Sequence, residues 1–92
     1  MPKYLIEREL PGAGSLTDEE VQSISQKSVE VLTGMAPRAQ WLHSYVVDDH
    51  IFCVYLADDP EAVREHGRCG GFPVTSIHRV RRVIDPTTAE VA

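Results

Sequence analysis

An α+β domain, four antiparallel strands with two helices on one face, is the fold this chain predicts. Three observations carry the prediction. The apolar pattern switches between period two and period 3.6 in the order strand, helix, strand, strand, helix, strand. A capping box, Thr17-Asp18-Glu19-Glu20, opens the first helix. An Asp-Pro pair, Asp59-Pro60, opens the second.

Taken in order, Tyr4 to Arg8 alternates β-favouring and charged residues and stops at the turn cluster Pro11-Gly12-Ala13-Gly14. Behind the capping box, Val21, Ile24, Ser28, Val31, Leu32 and Met35 recur at helical spacing, and Gly34 and Pro37 end the run. Trp41 to Val47 and Ile51 to Ala57 read as a hairpin about Asp48-Asp49. The second helix carries Ala62, Val63 and His66 on one stripe and stops at Gly70-Gly71, with Pro73 beyond. Ile77 to Ile84 is the last predicted strand, closed by Asp85-Pro86, and residues 86–92 read as a loose tail.

The order βαββαβ is that of the ferredoxin-like fold. It predicts one domain over residues 1–92, with the first and third strands central. The sheet face away from the helices is then bare, and a half-apolar bare face predicts a homodimer formed through it.

Composition narrows the function classes. The 92 residues are 42% hydrophobic and 25% charged, as in ordinary globular chains. Nine Lys and Arg against 14 Asp and Glu leave a formal charge of −5, which argues against nucleic acid or an anionic membrane as partner. No apolar run approaches the ~20 residues that span a bilayer. Met1 to Glu9 has no apolar signal-peptide core, so the expected location is the cytoplasm. The two cysteines, Cys53 and Cys69, form no CxxC and are expected to be buried thiols. No P-loop, GxGxxG, GxSxG or HExxH occurs.

The hairpin register decides which side chains meet. A two-residue turn at Asp48-Asp49 sets Leu42, Ser44 and Val46 beside Ile51, Cys53 and Tyr55. A three-residue loop sets them beside Phe52, Val54 and Leu56 instead, and leaves Trp41, His43, Tyr45, Ile51, Cys53 and Tyr55 on the opposite face. The second register sorts apolar from polar residues better and is the expected one. Tyr4 and Ile6 suit the helix face, so Leu5 and Glu7 point to the open face. Glu7, His43, Tyr45, Cys53 and Tyr55 then form one expected cluster of carboxylate, imidazole and thiol, the donor types that bind nickel, zinc or copper. Each has a plainer reading as well. His43 suits a hydrogen-bonded interface position, and Glu7 an ion pair with Arg79 or Arg81. His66 and Cys69, at i and i+3, suit a shared surface patch or a helix-end charge interaction. His50 and His78 are expected in solvent.

The stretches PKYLIEREL, WLHSYVVDDHIFCVYLA, EAVREH and RVRRVIDPTTAE together resemble a family of small bacterial proteins described as nickel-responsive or nickel-binding, long classed as a domain of unknown function. The likeness runs from about Pro2 to Glu90 and is most specific in the hairpin. It implies a ferredoxin-like fold, a homodimer, cytoplasmic residence and nickel binding, and no known reaction. Glu7, His43, Ser44, Tyr45, Cys53, Tyr55 and His66 match the family's recurring polar positions. On the chemistry of the residues themselves, the metal-ligand candidates are Glu7 and His43 first, with Cys53, Tyr55 and His66 behind them, for nickel, or zinc or copper in its place. Sequestration or sensing is the expected role rather than catalysis. The alternatives are a cofactor-free or haem-binding enzyme of the dimeric ferredoxin-like type (isomerase or monooxygenase) and a plain dimerisation module.

Overall fold

A computed structural model describes residues 1–90. Strands β1 (Lys3–Glu9), β2 (Ala39–Val46), β3 (His50–Ala57) and β4 (Ser76–Arg79) form one antiparallel sheet in the order β2-β3-β1-β4. Helices α1 (Asp18–Met35) and α2 (Pro60–Gly70) complete the ferredoxin-like βαββαβ arrangement, with β1 and β3 at the centre as expected. Among the described residues, no helix is long and apolar enough to cross a membrane.

The helix starts follow their sequence signals. Thr17 Oγ1 accepts from the Glu20 amide, and the Glu20 carboxylate accepts from the Thr17 amide, so two otherwise unpaired donors are satisfied. Asp59 caps α2 by accepting from the Ala62 amide, with Pro60 behind it. Gly71 ends α2 at φ 71°, a left-handed conformation that a side chain resists.

Alternation in β1 places Tyr4 and Ile6 inward, and the core forms where they meet Ala39, Cys53, Tyr55, Ala57, Leu32 of α1 and Ala62 and Val63 of α2. Both helices cover this one face: Ser28 of α1 bonds His66 of α2, whose ring lies against Tyr55 of β3.

The hairpin departs from the expected register. Val46 pairs with Ile51, and the Val47 amide donates to the His50 carbonyl, so the turn has two residues, Asp48 and Asp49. Its geometry is held from outside the hairpin: the Leu10 amide donates to the Asp49 carbonyl, the Gly14 amide to that of Asp48, and the Gly12 amide to Asp49 Oδ1. A bulge at Leu42 adds a second departure, since Trp41 pairs with Tyr55 while His43 pairs with Val54. Trp41 therefore faces the helices, and His43 faces away. Ile51, Cys53 and Tyr55, expected on the open face, lie on the helix face, while Phe52, Val54 and Leu56 occupy the open one.

The last strand is shorter than expected and ends at Arg79. Its partner, β1, begins at Lys3, whose carbonyl accepts from the Val80 amide, so nothing remains for residues 81–84 to pair with. Val83 and Ile84 are exposed. Within the expected tail, Asp85 caps a short 3-10 turn at Pro86–Ala89 through the Thr87 amide; residues 91–92 lie outside the described chain.

Candidate functional site

Glu7 and His43 both occupy the open face, as predicted. Glu7 sits opposite Phe52 on β3 and Ser76 on β4. His43 lies opposite Val54, two strands across and two residues along, so its backbone is roughly 12 Å from that of Glu7 by strand spacing and rise. The two share a surface, but among the described residues no ion pair or hydrogen bond joins them. The His43 ring instead meets Tyr45 edge to face at 5.1 Å.

Glu7 has nearer neighbours, and they are not the arginines expected. One carboxylate oxygen accepts from the Ser76 hydroxyl at 3.2 Å. The other is 3.8 Å from His50 Nε2. Ser76 Oγ is in turn 3.1 Å from His78 Nε2. Three strands thus bring a carboxylate, a hydroxyl and two imidazoles into one chain of contacts on the uncovered face. His50, expected in solvent, is half-buried there beside Phe52, at 6.1 Å between ring centroids. Its proximity to Glu7 follows from the two-residue turn, which starts β3 at His50 and pairs it with Glu9, one row from Glu7. The signal in the sequence is the short Asp-Asp turn, which competes with the better polarity sorting of the longer loop.

The other three candidates lie on the opposite side of the sheet. Cys53 and Tyr55 are 4% and 3% exposed, and His66 is 1% exposed under α2. They cannot share an ion with Glu7 or His43, because the sheet stands between them. His66 Nε2 lies 3.1 Å from Ser28 Oγ, and the ring packs between Tyr55 and Phe72, each at 5.3 Å. Burial, with the nearby Arg8 charge, pushes its pKa from 6.5 down to about 4, so the ring is neutral at pH 7. Burial and Cys53 raise the Tyr55 phenol above its usual 10, offset in part by Arg8 and Ser28. His66 and Cys69 do not form a surface patch, since Cys69 is exposed and His66 is not; the expectation that both thiols are buried holds for Cys53 alone.

Carboxylate and imidazole are donor types that suit nickel. Their number in one copy is short: among the described residues no three His, Cys, Asp or Glu side chains stand close enough to hold an ion together. Glu7 and His50 form the tightest pair on the open face, and further donors would have to come from solvent or a second copy.

Residues 4–80 match a family model described as nickel responsive protein SCO4226-like. Among solved structures, the crystal structure of SCO4226 from Streptomyces coelicolor A3(2) superposes with a TM-score of 0.75 over 89% of this chain and 99% of that one. Its sequence is 15% identical, so this likeness speaks to the fold alone. No curated protein sequence matches the chain.

Proposed function

The chain belongs to the SCO4226-like family described as nickel responsive, and on that premise we propose that it binds a nickel ion on the open sheet face, to sequester or report the metal rather than to catalyse a reaction. The observation that carries the proposal is the Glu7–His50 approach at 3.8 Å on a surface the helices leave bare. Glu7 and His50 are the first donors, with His78 next through Ser76. His43 is the donor placed to serve a second copy. Two protein donors leave a nickel site incomplete, so the proposal includes a homodimer formed through this face, which half-buried Leu5, Phe52, Val54 and Leu56 also favour. The expected place of action is the cytoplasm.

Isothermal titration with nickel and with zinc tests the proposal, alongside light scattering with and without metal. Glu7→Gln and His50→Ala should each weaken nickel binding at least tenfold, whereas a His66→Gln change across the sheet should leave it intact. Because imidazoles bind metal only when neutral, affinity should fall as the pH is lowered. Absence of micromolar binding, or equal affinity in the Glu7 and His50 variants, would remove the reading.

A further inference from the structure

The helix face holds a cavity of different chemistry. A cavity of about 370 Å³ opens between the sheet and α1, walled by Leu16, Val21, Ile24, Trp41, Ile51 and Phe72. Arg8 forms part of its wall. The alternation that turns Tyr4 and Ile6 inward turns Arg8 inward too, and the side chain is 5% exposed. Nη1 donates to the Pro73 carbonyl at 2.8 Å, while Nη2 is buried with no partner. The guanidinium lies 6.0 Å from the Tyr55 ring centre and 5.7 Å from that of Phe72. None of the ion pairs among the described residues includes Arg8, although the chain has 14 carboxylates.

A buried cation without a counter-charge is costly, and ring faces offset only part of that cost. The groups around it add no negative charge. Tyr55 keeps its proton, His66 is neutral, and Ser28 offers a hydroxyl. Lys27 also lines the cavity but is exposed to water, and Ser23, Ser25, Ser28 and Ser44 add hydroxyls among the apolar side chains, so Arg8 is the buried cation of the wall, matching one negative charge on a largely apolar body. At about 30 Å³ per water-sized group, the space holds roughly a dozen non-hydrogen atoms.

We propose that this cavity binds a small organic monocarboxylate with an apolar body, its carboxylate meeting Arg8 and its tail lying against Trp41 and the α1 side chains. The site is on the opposite side of the sheet from Glu7 and His50, so it stands or falls independently of nickel.

Decanoate, with about a dozen non-hydrogen atoms, is the probe, and decanol is its neutral counterpart. Trp41 is the only tryptophan in the chain and lines the cavity, so its emission reports occupancy beside isothermal titration, both in metal-free buffer. Decanoate should saturate the protein and bind at least tenfold more tightly than decanol. Arg8→Met should remove that preference and leave decanol binding as it was. Ile24→Phe, which narrows the cavity and leaves Arg8 in place, should weaken both ligands and decides the matter should Arg8→Met not fold. The proposal is overturned by equal affinity for decanoate and decanol, by wild-type decanoate affinity in either variant, or by the absence of both saturable heat and emission change.

Discussion

His66 makes stability depend on pH between about 4 and its ordinary 6.5. Its ring is buried against Tyr55 and Phe72 and bonded to Ser28, and its pKa falls from 6.5 to about 4 on folding. The unfolded chain therefore binds the extra proton first, and stability rises with pH across that interval. All of the contribution is present above 6.5; it drains away as pH falls toward 4 and is then exhausted. Moving from about pH 7.5 to about pH 5 withdraws about 2 kcal/mol, and full protonation no more than about 3 kcal/mol. The perturbation is His66→Gln, which does not titrate and still reaches Ser28. Glu20 and Asp85, whose capping hydrogen bonds hold their pKa values below 4.5 and 3.8, lose their contributions at more acid pH, equally in both proteins. Urea unfolding at the two pH values measures the difference: the wild-type midpoint should drop by roughly 1–2 M more than the variant's, given slopes typical of small domains. Equal drops, or an NMR titration of the His66 ring centred near 6.5, would refute the argument.

Two further predictions concern the helices. At Gly70 an added Cβ would lie 2.2 Å from Phe72 Cε2, so Gly70→Ala should destabilise by about 1–3 kcal/mol. At Gly34 nothing stands within 4 Å, so the same change should stabilise α1 by about 0.5–1 kcal/mol; thermal melts of the pair should shift in opposite directions. Thr17→Ala removes the acceptor for the Glu20 amide and should cost about 1 kcal/mol in chemical unfolding, with the circular-dichroism signal of the folded helix retained.

Local chemistry was readable wherever a few neighbouring residues decide the outcome. The Thr17–Glu20 box, the Asp59-Pro60 start and the Gly71 stop depend on hydrogen bonds and backbone angles within one turn, and each element begins or ends where its residues say. Strand order was legible for the same reason, because so short a chain with this element order has few arrangements that bury its apolar faces. Glu7 and His43 were placed on the correct face by alternation within single strands. Arg8 is equally legible: a charge at the third inward position of β1 departs from the apolar pattern of Tyr4 and Ile6.

Register, by contrast, is a property of pairs. Cys53 and Tyr55 are apolar enough to suit either face, so polarity sorting could not choose between two hairpin loops one residue apart. Amides at Leu10, Gly12 and Gly14, distant in the chain, tie down Asp48 and Asp49, and the Leu42 bulge offsets Trp41 from His43. A one-residue slip reverses every side chain in a strand. Composition and periodicity alone determined that this chain folds as βαββαβ with a bare sheet face bearing Glu7 and His43. Only the folded arrangement decided that His50 joins Glu7 there while Cys53, Tyr55 and His66 turn inward toward Arg8. The hydrogen bonds and packing that set those neighbours span the whole chain, and no local window contains them.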